Sequence, residues 1–314
     1  MAITAKRLLG HFQGIDKPFQ LVLHYSDVNA KYKVFPVWGE VKYDGVFCAI
    51  VVDDEGSTAV SRTGKPFYSE INNLIYPLVP HHKGVWIAEL CNKRCSLEVL
   101  SGLVNPNRVK PWTAEEKELM RSVDMFFHDA LTLEECIAGY SAVPQQIRRK
   151  RLPWHVYTAD GKWLYSQDEL EAFAAEEIAK GGEGIVIKQP DADYVAGHKG
   201  YRVAKIVRDL HVDLMCLDVQ TGKGKRTGQI AKLQFKYKGK LFWADLGEGW
   251  TDEKRIFLTE CWQLATTNAL GMYHPYNPLG KVFHVKALQE SSKGSLRLPK
   301  AMEIRVDKFV EDVT

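Results

Sequence analysis

Three charged side chains set between two apolar runs constrain the fold more than any other feature of this chain. Val37–Val41 and Val46–Val52 are rich in β-branched residues and flank Lys42-Tyr43-Asp44-Gly45, with Glu40 just before. The two-residue period of a strand puts Glu40, Lys42 and Asp44 on one face, and Val41 and Tyr43 on the other. Apolar sequence on both sides argues that the charged face lines a cleft. A lysine in such a cleft is a candidate nucleophile, because burial and neighbouring cations favour the free amine.

The turn Asp53-Asp54-Glu55-Gly56 follows, giving a hairpin-rich start. Ser166-Gln167-Asp168-Glu169 is a capping box that opens a helix through Glu171, Phe173, Ala174 and Ile178, and Gly181-Gly182 supplies the stop. Glu183 then enters a short buried strand, Ile185–Ile187. Fully buried Glu and Lys are costly without partners, so Glu183 and Lys188 at its ends point to chemistry or to an ion pair. From about Asp213 the texture changes to five short strands, Leu214–Val219, Gln229–Phe235, Leu241–Leu246, Val282–Leu288 and Ala301–Val306, with a helix near Glu253–Ala269. That pattern suits a small Greek-key barrel of the oligonucleotide-binding (OB) kind, with a boundary near His211. The fold class is therefore α+β, in two domains, 1–210 and 211–314.

With 42 Lys and Arg against 39 Asp and Glu, the net charge is +3, so attraction to a polyanion has to come from local clustering. Thr221 to Lys240 carries seven basic residues, Lys223, Lys225, Arg226, Lys232, Lys236, Lys238 and Lys240, and no acidic one. A solvated lysine-rich surface would show the same run. The six cysteines are scattered and expected as free thiols; Cys91 and Cys95 lack the second ligand pair a tetrahedral zinc site needs. No long apolar span or signal segment is visible, so a soluble cytoplasmic protein without membrane contact is expected.

Lys42-Tyr43-Asp44-Gly45 resembles the nucleophile motif of the covalent nucleotidyltransferases, the superfamily of DNA ligases, RNA ligases and mRNA capping enzymes. Further segments resemble that superfamily's motifs in order. Ser61-Arg62-Thr63-Gly64 implies a phosphate contact for Arg62. Glu89 in Trp86–Leu90 implies a ribose and metal role, although Ile-Ala stands where Asp-Gly is usual. Phe126 implies an aromatic stacked on the base, with His128 on the same face and Phe127 in the core. Glu183-Gly184-Ile185-Val186-Ile187-Lys188 implies a carboxylate for a divalent cation and a lysine for phosphate. Lys205 fits the next motif, whose second lysine falls on Val207 with Arg208 beside it. Gly294–Pro299 and Arg305-Val306-Asp307-Lys308 resemble the closing segment of short ATP-dependent DNA ligases of bacteriophages and bacteria, in which it closes over ATP and orients pyrophosphate. Phe47 departs from the arginine usual there.

The resemblance implies an adenylation domain followed by an OB-fold barrel, acting as an ATP-dependent ligase of nicked duplex DNA in replication or repair. ATP and Mg²⁺, with Mn²⁺ able to substitute, are the implied cofactors. Lys42, Arg305 and Lys308 would be catalytic. Glu40, Asp44, Gly45, Arg62, Glu89, Phe126, Lys188, Lys205 and Arg208 would bind nucleotide. Glu89 and Glu183 would bind metal; Arg62, Lys223, Lys225 and Arg226 would hold DNA. A monomer is expected. NAD as donor is disfavoured, since only 41 residues precede Lys42 and the zinc cysteines are absent. The rival readings are a GTP-dependent mRNA capping guanylyltransferase and an inactive OB-fold DNA-binding protein.

Overall fold

The computed structural model describes residues 4–75, 78, 80–267, 276–290 and 294–312. The chain divides into two units, Met1–Val207 and Arg208–Thr314.

Two sheets organise the first unit. One runs Leu21–His24, Lys199–Val207, Gly184–Lys188, Val37–Lys42, Gly161–Leu164, antiparallel except for its first pair. The other runs Gly56–Val60, Val46–Asp53, Gly84–Asn92, Val123–Leu131, antiparallel throughout. The hairpin at Asp53–Gly56 forms as the sequence suggests. The two runs around Lys42–Gly45 belong to different sheets, so that segment is a crossover, not a hairpin turn.

Each sheet has its own apolar backing. Under the first, the helix Gln167–Ala179 buries Leu170 and Phe173 against Leu164, Ile185 and Ile187. A Cβ on Gly39 would lie 2.5 Å from Leu164 Cδ1, so glycine permits this close layer. Ser166 caps the helix by accepting from the Glu169 amide at 3.2 Å. The Glu169 carboxylate accepts from the Tyr165 amide, one residue before the cap, so only half of the expected box closes. Under the second sheet lie Ile50, Trp86, Leu100, Trp112, Met125 and Phe127. At ~1.5–3 kcal/mol per large buried side chain, such clusters hold the sheets in place.

Among the described residues the second unit carries a six-stranded sheet where five strands are expected, with Gln289–Glu290 and Leu296–Arg297 pairing apart from it. The order in the sheet is Leu210–Met215, Val282–Ala287, Lys300–Ile304, Lys240–Leu246, Ile230–Tyr237, Asp218–Thr221. The extra strand arises because the run expected at Leu214–Val219 breaks in two. The Cys216 amide donates to Lys281 O at 2.8 Å, and the next amide, Leu217, donates to Gln234 O at 2.8 Å. One continuous segment thus joins the two outer strands of the sheet, which closes it into an OB-fold barrel around Leu214, Leu233, Phe235, Ala244, Phe283 and Ala301. The helix spans Asp252–Thr267; positions 268 and 269 of the expected helix lie outside the described residues. All six cysteines are free, and no helix among the described residues is long and apolar enough to cross a membrane.

Candidate active site

The two sheets of the first unit enclose a cavity of about 190 Å³. Cross-strand register explains its walls. On one sheet Glu89 stands opposite Phe47 on one neighbour and Phe126 on the other, and all three line the cavity. On the other sheet Val186 stands between Glu40 and Lys205, which also line it. Lys42, Arg62, His128 and Lys188 add to the polar lining, with Gln20, Tyr43, Asp129 and Tyr194.

Lys42 Nζ lies 2.8 Å from Glu183 Oε2. The Lys42 side chain is 21% exposed and that of Glu183 8%, so the lysine keeps an opening to the cavity while its partner is buried. Lys188 is fully enclosed: Nζ lies 2.7 Å from Glu40 Oε2 and donates to the His128 carbonyl at 2.6 Å. The other Glu40 oxygen accepts from Trp38 Nε1 at 2.9 Å and Arg149 Nε at 3.1 Å. Glu40 is therefore an anchor for two cations and an indole. Arg148 and Asp129 form a second buried pair, at 3.0 and 3.1 Å, that fixes the far end of the Phe126 strand.

Burial pushes the Glu89 carboxyl up to about 7; Lys42 and Arg62 pull it back, and Glu183 and Asp44 push it further. Burial, and then the Lys42 charge, lowers the Lys205 ammonium below its usual range. Burial together with Lys188, Arg62 and Lys42 holds His128 well below the ordinary imidazole value, hence neutral. The cavity thus sets four cationic side chains, Lys42, Arg62, Lys188 and Lys205, around a carboxyl poised near neutrality, an arrangement that can receive an anionic ligand.

Gly45 sits where the crossover meets the second sheet. A Cβ there would lie 2.6 Å from Leu90 O and 2.7 Å from Glu89 Cγ, so glycine lets the Lys42 loop close on the Glu89 strand. Asp44 is exposed and outside the cavity lining. The parity expectation for Val41 and Tyr43 fails: both line the cavity, Val41 from within the strand and Tyr43 just past its end at Lys42, where alternation stops. Its ring stacks on Phe126, with centroids 3.9 Å apart and planes within 2°, and its hydroxyl donates to Asp160 Oδ2 at 2.7 Å. Phe126 thus has one face covered by Tyr43. Phe127 is in the core, as expected. Phe47 also turns inward and carries the Arg62 guanidinium over its ring at 5.1 Å. Nothing in the local sequence marks Tyr43 or Phe47 as parts of this wall, or Arg149 as the support behind Glu40, since their contacts cross between elements.

In the second unit, Arg305 and Lys308 converge on Asp213. The Arg305 guanidinium pairs with Asp213 and Asp307, and Lys308 Nζ lies 3.0 Å from Asp213 Oδ2. His284 contacts the other Asp213 oxygen at 2.9 Å. Arg208 opens this unit, one residue past the division. The basic run is less open than its sequence suggests. Lys225 and Arg226 lie 3.4 and 3.0 Å from Asp252, Lys232 lies 3.7 Å from Asp245, and Lys238 lies 2.7 Å from Glu290. Lys223 is exposed and without an ion pair among the described residues.

Comparisons with known proteins agree with this arrangement. A family model described as "ATP dependent DNA ligase domain" matches residues 20–206. A probable DNA ligase of Anaeromyxobacter sp. (strain K) is 29% identical over 211 residues, covering 60% of this chain and 38% of the relative. A DNA ligase of Archaeoglobus fulgidus is 28% identical over 208 residues, covering 60% and 36%. The chain thus matches little more than a third of the length of these relatives. Among solved structures, Pmar-Lig_PreS3 gives a TM-score of 0.71 at 19% identity, covering 93% of this chain and 68% of that one. A structure from a study of Lig E DNA ligases gives 0.64 at 17% identity, covering 93% and 100%. At these identities the structures show a shared fold.

Proposed function

The chain belongs to the ATP-dependent DNA ligase family, and from that membership we propose that it seals 5′-phosphate/3′-hydroxyl nicks in duplex DNA through a Lys42-linked adenylate. The observation that carries this reading is Lys42 itself, partly open to a cavity of mixed aromatic and cationic lining, with Nζ in a 2.8 Å hydrogen bond to Glu183.

In the first step the Lys42 amine attacks the α-phosphate of ATP, a P–N bond forms, and the bond to pyrophosphate breaks. Glu183 is placed to accept the proton leaving Nζ. Arg62 and Lys205 supply positive charge where phosphate oxygens gain negative charge. Glu40 acts by holding Lys188, whose ammonium is fixed at the cavity wall. The outer face of Phe126 offers a platform for the base. In the next steps the AMP passes to the 5′-phosphate of a nick, and the 3′-hydroxyl displaces it.

Glu89 and Glu183 are the residues that would hold a divalent cation. They fit Mg²⁺: both are hard oxygen donors, their mutual repulsion helps keep the Glu89 carboxyl at about 7, and Mg²⁺ is satisfied by one or two carboxylates plus phosphate. When bound, the cation would offset charge on the α-phosphate. Arg305 and Lys308 are assigned to the leaving pyrophosphate, which requires them to exchange Asp213 for phosphate oxygens. Lys223, Lys225 and Arg226 are assigned to phosphates of the DNA backbone, contacts that carry no sequence information. The protein is proposed to act as a monomer in the cytoplasm.

The test is incubation of wild type and Lys42→Ala with Mg²⁺ and α-labelled ATP or GTP, followed by a chase with nicked duplex DNA. Label from ATP on wild type alone, discharged as sealed DNA, is expected. Label from GTP would transfer the reading to a capping enzyme, and no label would leave a DNA-binding protein without the chemistry.

A further inference from the structure

The loop between the helix Gln145–Arg149 and the strand Gly161–Leu164 holds the most exposed aromatic residue of the described chain. Trp154 is 95% exposed, and Tyr157 follows at 66%. Apart from the edge-on ring of His155, with centroids 5.7 Å apart, the indole has no aromatic neighbour among the described residues. Leaving a tryptophan in water forgoes the gain of burying its large apolar surface. Packing within the described unit gives no reason for it.

The setting of the loop names an occupant. Its entry is the run Arg148-Arg149-Lys150-Arg151. Arg148, Arg149 and Arg151 are paired with Asp129, Glu40 and Glu135, whereas Lys150 is exposed and without an ion pair among the described residues. Its exit is fastened to the cavity wall. The Phe127 amide donates to Tyr157 O at 2.8 Å, the Ala159 amide donates to Phe127 O at 3.0 Å, and the Val41 amide donates to Asp160 O at 2.7 Å. Ala159 itself lines the cavity. Ala159 lies five positions after Trp154, so the Trp154 backbone stands within ~17 Å of the cavity wall at full extension. At ~3.4 Å per nucleotide along one strand, that distance covers about five nucleotides.

We propose that Trp154 is a stacking residue for a nucleobase of the DNA substrate, within about five nucleotides of the nick, with Lys150 on the adjacent phosphate. An exposed indole and an unneutralised lysine carried four positions apart on one loop supply the aromatic and cationic groups that hold unstacked bases. This inference rests on the nick-sealing reading above.

The test uses the full chain as wild type, Trp154→Ala and Trp154→Phe. A nicked duplex with a dideoxy 3′ end, so that it is bound but not sealed, carries 2-aminopurine at successive positions within five nucleotides of the nick. Wild type and Trp154→Phe are expected to quench one position, and Trp154→Ala to lose that quench and bind the nick roughly 5- to 100-fold more weakly. Lys42 adenylate formation from ATP alone is expected to stay within twofold in all three. Unchanged nick affinity and quenching in Trp154→Ala, with wild type sealing normally, overturns the loop assignment and leaves the ligase reading intact. A wild type that takes no label from ATP and seals no nick overturns both.

Discussion

Lys42 and Glu183 meet at the ends of neighbouring strands, where Lys42 pairs in register with Gly184 and its Nζ lies 2.8 Å from Glu183 Oε2. The pairing fixes the lysine in direction. A carboxylate so placed can accept a proton; an amide of the same shape keeps the contact and loses the basicity. Glu183→Gln should therefore slow Lys42 adenylate formation by roughly 10²- to 10⁴-fold while ATP affinity changes by much less. Single-turnover transfer of α-labelled ATP measures the first, and equilibrium binding to Lys42→Ala with and without Glu183→Gln measures the second. A Glu183→Gln enzyme within threefold of wild type would remove Glu183 from the proton path.

Glu89 gives the protein a pH dependence whose sign follows from its position. Its carboxyl titrates at 4.5 when free and is pushed up to about 7 by burial in the folded chain. Between those values the folded state binds more protons than the unfolded state, so stability falls as pH rises. The contribution is fully present below about 4.5 and is lost as pH passes through about 7. Melting temperature measured from pH 5 to 8 without divalent cations should fall in wild type and stay flatter in Glu89→Gln. Because a divalent cation competes with that proton, Mg²⁺ should stabilise wild type more at pH 8 than at pH 5.

Gly184 is fixed by backbone conformation and by space. Its φ is 137°, and a Cβ would lie 2.1 Å from Ile206 O on the next strand. Gly184→Ala combines strained backbone, about 1–3 kcal/mol, with overpacking of similar size. A loss of about 2–5 kcal/mol in urea unfolding is expected, with adenylation reduced even where the variant is folded, since Glu183 precedes it directly. Stability within 0.5 kcal/mol of wild type would mean that the strands separate easily here.

How much of this was legible in the sequence depends on whether a contact is local. Glu40 and Lys42 of the charged trio and the buried ends of the Glu183–Lys188 strand announce a cleft because their cost has no local explanation, whereas Asp44, the third of the trio, is exposed and outside it. The helix Gln167–Ala179 is legible from its cap and glycine stop. Tyr43 is not, because alternation holds only while the strand lasts and the strand ends one residue earlier. Glu40 and Arg149 lie 109 positions apart, and no periodicity links them. The split of the first barrel strand at Cys216 and Leu217 is likewise a matter of closure, decided by which neighbour each amide meets. The acids that neutralise much of the basic run, Asp245, Asp252 and Glu290, all come from outside it.

That last point changes what the basic run is expected to do in salt. Each phosphate neutralised by a free cation lowers the logarithm of the DNA association constant by about 0.9 per decade of salt. Removing Lys223, Lys225 and Arg226 together should flatten that slope by about 2 to 3 if all three reach phosphates. Lys225 and Arg226 share Asp252, however, so in wild type part of their charge is already offset by the protein. Asp252→Asn should then tighten binding to nicked duplex at low salt and steepen the slope, and it should do neither in the triple variant. Fluorescence anisotropy of a labelled, non-sealable nick across 50–300 mM salt reads both quantities on the order of magnitude required. If Asp252→Asn acts equally with and without the three basic residues, Asp252 repels the DNA directly, and the loop Lys223–Arg226 is not the element that holds it.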